Sequence, residues 1–169
     1  MHSLLVPDGI FARYDCLTAE ALRERGVTLL LSDLDFTLAP KSVLLPDQAL
    51  KDWAASLQRS GITLMVVSNN RSGERVTRFC KALGIPFQGH AGKPSPRGLE
   101  AAMARCGVDR EQTAMLGDKL LTDVLAARRA GVRAWMVEPL GGARTLWQKV
   151  LHALQAPFKA LCRERIGLE

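Results

Sequence analysis

The run Val27–Leu31, apolar apart from Thr28, stops at Ser32 and is followed at once by Asp33-Leu34-Asp35-Phe36-Thr37. A continuous aliphatic and β-branched stretch of this length predicts a strand buried on both faces, as in a parallel sheet. Side chains alternate along a strand, so Asp33 and Asp35 start out on the same side, just beyond its carboxyl edge. Carboxylates crowded there without a counter-charge repel each other. The pair makes physical sense if a divalent cation, a phosphoryl group, or both belong beside it.

The same alternation runs on along the chain. Further strand signals lie at Ile62–Val67, Thr113–Leu116 and Val132–Val137. Helical periodicity fills the intervals at Asp47–Arg59, Ser72–Leu83, Ser95–Cys106 and Leu121–Ala130. Leu50, Trp53, Ala54 and Leu57 share one face of the first helix, and Ser72 is placed to cap the second. Gly61, Gly84, Gly107 and Gly131 follow these helices as stop signals. Strands alternating with helices predict an α/β fold of three layers, with a mainly parallel central sheet covered on both faces. Ligands of such sheets bind beyond the carboxyl ends of the strands.

A length of 169 residues suits one domain spanning the whole chain, its motif core at about residues 27–137. No apolar stretch reaches the roughly 18 residues of a membrane span, and Pro7, Asp8 and Arg13 interrupt any secretory leader. The four cysteines are scattered without metal-ligand spacing and are expected to be reduced. The expectation is a cytoplasmic protein. Its net charge of +6 suits anionic partners, whether phosphorylated substrates, acidic membrane surfaces or nucleic acid. Residues 143–166 predict a basic amphipathic helix. Its apolar stripe is Trp147, Val150, Leu151, Leu154, Phe158, Leu161 and Cys162, set among Arg144, Lys149, Lys159, Arg163 and Arg165, with a break or kink at Pro157. Such a segment either docks on the core or lies peripherally on an anionic lipid or RNA surface.

The other predicted strand ends are as polar as the first. Ser68-Asn69-Asn70 follows the second strand, and Lys93 sits in the loop Gly89–Pro96. Gly117-Asp118-Lys119-Leu120-Leu121-Thr122-Asp123 follows the third. D-x-D-x-T, a serine, a lysine and G-D-x-x-x-x-D, in this order from about Val27 to Val137, resemble the haloacid dehalogenase superfamily of phosphotransferases. Over nearly the whole length, VPDGIFARYDCLTAEALRERGV, DLDFTLAP, VVSNNRSGERVTRFCKALGIPF, GKPSPRGL and MLGDKLLTDVLAARRAG are similar to the YqeG family. These are subclass III phosphatases without a large cap, related to phosphatidylglycerophosphate phosphatases. Phe36 departs from the family, which has asparagine or glycine there. A positive φ suits those residues and not phenylalanine, so either the turn differs or Phe36 forms an apolar wall for the substrate.

The resemblance implies roles. Asp33 is the nucleophile, forming an aspartyl-phosphate, and Asp35 is the acid that protonates the leaving group and then the base that activates water. Asp33, the carbonyl of Asp35 and Asp118 hold Mg²⁺. Ser68 and the amide of Asn69 bind the phosphoryl oxygens, and Lys93 supplies a fixed positive charge. Thr37 braces the loop, and Asp123 holds a metal water or Lys93. Asn70 and Lys119 are given no catalytic role, and His90 reads as a surface or substrate-side residue.

Only Leu38–Pro46 separates Thr37 from the next helix, and one helix with a short strand fills Ser68 to Lys93, so neither gap holds a lid. An open site suits a bulky substrate, a membrane surface, or closure by a second subunit of a homo-oligomer. A phospholipid headgroup such as phosphatidylglycerophosphate is the preferred substrate, with a soluble sugar or nucleotide phosphate as the alternative. Two other classes fit less well. A phospho-accepting receiver module places its acidic pair before its phosphorylated aspartate, the reverse of this order. A nucleic-acid-binding module would need more stacking surface than one tail tryptophan offers.

Overall fold

The computed structural model describes residues 4–70, 73–141 and 146–168. Seven strands form one sheet: β1 (Gly9–Phe11), β2 (Leu29–Ser32), β3 (Thr63–Val67), β4 (Phe87–Gln88), β5 (Thr113–Gly117), β6 (Arg133–Val137) and β7 (Glu164–Ile166). Six α-helices accompany them: α1 (Ala19–Glu24), α2 (Gln48–Arg59), α3 (Glu74–Leu83), α4 (Arg97–Cys106), α5 (Leu125–Ala130) and α6 (Leu146–Ala160). The spatial order is β4-β3-β2-β5-β6-β1-β7, and every pairing is parallel. The predicted α/β architecture is therefore present, and the strand that carries Asp33 is held between β3 and β5.

Pleating divides the strands between two apolar clusters. Leu30, Leu64, Val66, Ala114, Leu116 and Trp135 face α2 and α3. Leu29, Leu31, Met65, Met115, Ala134 and Met136 face α4 and α5. This is why the four strand signals read as unbroken apolar runs: both faces are covered. The helices carry the caps that their sequences announce. Asp47 accepts a hydrogen bond from the amide of Leu50 at 2.8 Å, and α3 stops where Gly84 takes a φ of 67°. The expected cap Ser72, like Arg144 and the side chain of Trp147, lies outside the described residues.

The C-terminal segment departs from expectation in three ways. Helix α6 runs through Pro157 without a break and ends at Ala160. Beyond it the chain is no helix but β7, an edge strand paired with β1. The predicted apolar stripe is also split. Cys162 is buried and Leu151 and Phe158 are half-buried, whereas Val150, Leu154 and Leu161 face solvent. Gln155 and Lys159 take the inward positions instead, and the Lys159 ammonium donates to Glu138 at 3.0 Å. Among the described residues no helix is long and apolar enough to cross a membrane.

Candidate active site

The carboxyl ends of β2, β3 and β5, with the loop that carries Lys93, converge on one cleft of about 560 Å3. It is lined by Asp33, Asp35, Ser68, Asn69, Lys93 and Asp123, residues drawn from all four motifs. Asp33 continues the β2 ladder, its amide donating to Leu116 O at 2.9 Å. That bond fixes the first carboxylate relative to β5 and thereby to Asp118.

Lys93 is the centre of the electrostatics. Its ammonium donates to Asp33 Oδ1 at 3.0 Å and to Asp123 Oδ1 at 2.7 Å, and its side chain is only 3% exposed. Burial works to lower the Lys93 pKa, but Asp123 and Asp33 outweigh it and the ammonium is held above its ordinary range. Asn69 locks the loop that delivers this lysine: its Nδ2 donates to Lys93 O at 2.9 Å, and its Oδ1 accepts from Lys93 N at 2.8 Å. The Asn69 side chain therefore works as a brace. Ser68 is buried at the end of β3, and its hydroxyl accepts from the Asn70 amide at 3.1 Å.

Asp123 is fully enclosed in a π-helical turn, Leu120–Val124, that precedes α5. Its second oxygen accepts from the Lys119 amide at 3.1 Å. Burial raises its pKa, and Lys93 opposes the rise. Gly117 makes the fit feasible, because a Cβ there would run into the Asp123 carboxyl. Asp118 is buried beside Lys119, whose ammonium lies 2.9 Å from each of its oxygens, and Thr37 Oγ1 donates to it at 3.4 Å. Burial, then the charge of Asp123, pushes the Asp118 pKa up to about 7, with Lys119 opposing.

Oxygens of Asp33, Asp118 and Asp123 lie within 4.8 Å of one another. Carboxylates such as Asp33 and Asp118 suit a hard divalent cation such as Mg²⁺, while both oxygens of Asp123 are already bonded to Lys93 and the Lys119 amide. A dication there would also offset the burial and the charge of Asp123 that push Asp118 toward its protonated form.

Two features escaped the sequence. Arg75 of α3 forms an ion pair with Asp35 and donates to the carbonyls of Pro40 at 3.0 Å and Val43 at 2.9 Å. It thus ties the second aspartate to the loop after the first motif. Forty positions separate the partners and no local pattern joins them. Lys119 is the other: besides pairing with Asp118, its ammonium sits 5.6 Å from the centroid of the Phe36 ring. Phe36 itself keeps the turn that was in doubt. It takes a φ of 65°, its amide donating to Ala39 O and its carbonyl accepting from the Leu140 amide, each at 2.8 Å. A left-handed phenylalanine costs on the order of 1–3 kcal/mol, offset here by these two bonds and the cation above the ring. Its ring also lines the cleft.

The sequence profile of the haloacid dehalogenase-like hydrolases matches residues 13–131. The probable phosphatase YqeG of Bacillus subtilis is 31% identical over 163 residues, covering 92% of this chain and 94% of that protein. The chloroplastic phosphatidylglycerophosphate phosphatase 1 of Chlamydomonas reinhardtii is 30% identical over 128 residues, covering 71% of this chain and 48% of that protein. The crystal structure of 3-deoxy-D-manno-octulosonate 8-phosphate phosphatase from Moraxella catarrhalis, in complex with magnesium, phosphate and the sugar acid, superposes with a TM-score of 0.52. That match is 21% identical and covers 83% of this chain and 92% of that one, a likeness of fold. The chain thus belongs to the haloacid dehalogenase-like hydrolases, within the YqeG family of phosphatases that cleave phosphoric monoesters.

Proposed function

We propose that this phosphatase is Mg²⁺-dependent, works through an aspartyl-phosphate on Asp33, and acts on a phospholipid headgroup of the phosphatidylglycerophosphate type. The observation that carries the chemistry is the buried Lys93 ammonium held between Asp33 and Asp123 at the mouth of β2. A carboxylate oxygen of Asp33 attacks phosphorus, the P–O bond to the alcohol breaks, and Asp35 gives its proton to the departing alkoxide. Asp35 then takes a proton from water as that water attacks phosphorus, releasing orthophosphate and restoring Asp33. Lys93 stabilises charge on the phosphoryl oxygens, Ser68 donates to them with the amide of Asn69, and Asp123 keeps Lys93 in place. Thr37 braces Asp118. Asp33, Asp118 and the Asp35 carbonyl would hold Mg²⁺, which would supply the positive charge that lets an anionic substrate approach clustered acids.

The metal reading has a signature in stability. The folded-state pKa of Asp118, about 7, lies above the 3.8 of an unperturbed aspartate. The stability this confers is full below pH 3.8 and is lost as pH rises through about 7. Metal needs the carboxylate, so Mg²⁺ stabilises strongly at pH 8 and weakly at pH 5. At a hundredfold excess over its Kd it adds about 2.7 kcal/mol, or about 5–10 °C in Tm for a chain of this size. Thermal melts at both pH values, with and without Mg²⁺, check this. A larger magnesium shift at pH 5 contradicts it.

Three observations support a lipid substrate. The related algal enzyme is named for one. Only residues 38–47 lie between Thr37 and α2, and only α3 and β4 intervene between Ser68 and Lys93, so no lid covers the cleft among the described residues. Helix α6 and the turn after it also leave Val150, Leu154 and Leu161 outward at 41%, 61% and 65% exposure, with Lys149 and Arg163 exposed nearby. Removing the tail would take away β7 and destroy its pairing with β1, so it cannot test this reading. Changing Val150, Leu154 and Leu161 together to serine can. Turnover of phosphatidylglycerophosphate in anionic vesicles falls at least about tenfold, with soluble phosphates affected no more than about twofold. Equal losses on both would reduce the stripe to a structural role. Phosphate release from a panel of that lipid, sugar phosphates and nucleotides, with and without Mg²⁺, tests the substrate class directly.

A further inference from the structure

Next to the phosphoryl cleft lies a smaller crevice of about 50 Å3 between α6 and the turn after β2. Phe36 and Lys119 line both spaces, so the crevice adjoins the cleft across these two side chains. Asp118 lines the crevice as well, which sets it against the proposed metal ligands. Phe36, Pro139 and Leu151 make its walls apolar, and Gln155 and His152 of α6 add polar groups.

Gln155 is the informative residue. It is 7% exposed, and its Oε1 has no hydrogen-bond partner among the described residues. An enclosed acceptor left unpaired destabilises a fold, and a leucine or methionine at this helical position would avoid that cost. The neighbouring inward residue, Lys159, does find its partner in Glu138. The orphaned amide faces a crevice rather than packed core, which is the arrangement of a polar group reserved for a ligand.

We propose that this crevice is the subsite for the alcohol portion of the substrate, and that Gln155 hydrogen-bonds a hydroxyl on a short alkyl chain. The preferred substrates are thus phosphate esters of small polyols, free or as a lipid headgroup. This rests on the phosphatase reading above. The volume admits a fragment of a few heavy atoms, being several times the ~10–15 Å3 that admits one water. The apolar walls suit the C–H faces of such a chain. A hydroxyl both donates and accepts, so it can satisfy the amide, whereas a keto or ether oxygen has no proton to offer Oε1. The positive φ of Phe36 gains a purpose, because it places the ring as the partition between the phosphoryl and alcohol spaces.

The test compares sn-glycerol 3-phosphate with n-propyl phosphate, which has the same carbon count and no hydroxyl. With Mg²⁺, the wild-type protein favours the glycerol ester by about tenfold or more in kcat/KM, the discrimination expected where a site is built to pair a hydroxyl. Gln155→Leu and Gln155→Met each collapse that ratio to about twofold or less, while raising Tm because the unpaired acceptor is gone. Absence of a preference in the wild type overturns the subsite without any variant being needed. A preference that survives both folded variants overturns the role of Gln155. The fate of the underlying reading is separable. Hydrolysis of p-nitrophenyl phosphate with neither alkyl ester cleaved overturns the subsite alone, whereas inactivity on all three phosphates and on phosphatidylglycerophosphate in vesicles overturns the phosphatase chemistry with it.

Discussion

Asp33→Asn abolishes phosphate release, by about four orders of magnitude or more, and leaves the fold intact. Asparagine has the shape of aspartate but lacks the anionic oxygen that attacks phosphorus, and no neighbour can replace it. Asp118 is engaged with Lys119 and Thr37, and Asp123 with Lys93 and the Lys119 amide. The side-chain carbonyl of asparagine can still accept from Lys93, so the loop stays anchored. Stability is the second readout. Asp33, Asp118 and Asp123 crowd their oxygens within 4.8 Å, and deleting one charge removes part of that repulsion. Tm of the metal-free variant is therefore equal to or above that of the wild type, the behaviour of a residue kept for chemistry at a cost in stability. The gain disappears when Mg²⁺ is added, because the variant has also lost a ligand. Turnover above about one percent of wild type in a clean preparation would remove Asp33 from the nucleophile role.

The centre of the fold was legible because its physics is local. Strands β2, β3, β5 and β6 are covered on both faces, so their buried residues follow one another without interruption. The edges were less so. Strand β4 at one edge was expected as a short strand before Lys93, but β1 and β7 at the other end have three residues each, too few for any period to register, and β7 owes its place to pairing with β1. Asp8 helps fix that edge by accepting from the Ala134 amide at 2.8 Å while pairing with Arg128, contacts spanning more than a hundred positions. Helix α6 misled for a different reason. Helical periodicity finds an apolar stripe and assumes that it faces a core, but this helix borders a polar site. Gln155 and Lys159 turn inward, and Val150 and Leu154 are left outside.

The site divides along the same line. The motif residues could be placed because each follows a recognisable strand and a parallel sheet presents all its carboxyl ends together. What the motifs could not give is which charge meets which. Lys93 is shared between Asp33 and Asp123, Lys119 belongs to Asp118, and Arg75 reaches Asp35 from a helix with no motif of its own. Phe36 was visible as an oddity in the sequence. Its φ of 65° could be known only once the turn to Ala39 was closed.

Lys93→Met destabilises the metal-free protein by about 3–5 kcal/mol, the usual consequence of leaving buried carboxylates without their cation. For a chain of this size that is a fall of about 6–20 °C in Tm. Methionine fills the volume of the lysine stem, so the loss comes from charge and not from a cavity. Activity falls as well, but the single variant cannot say whether Lys93 acts on the phosphoryl group or merely pins Asp33 and Asp123. Adding Asp123→Asn separates the two. The double variant removes the carboxylate that depends most closely on Lys93, at 2.7 Å, and recovers much of the lost stability through their coupling. Its turnover stays depressed by about a hundredfold or more, since among the described residues Lys93 is the cation paired with the nucleophile Asp33. If turnover returned together with Tm, Lys93 would be a structural pin, and stabilisation of the phosphoryl oxygens would pass to Ser68 and the Asn69 amide.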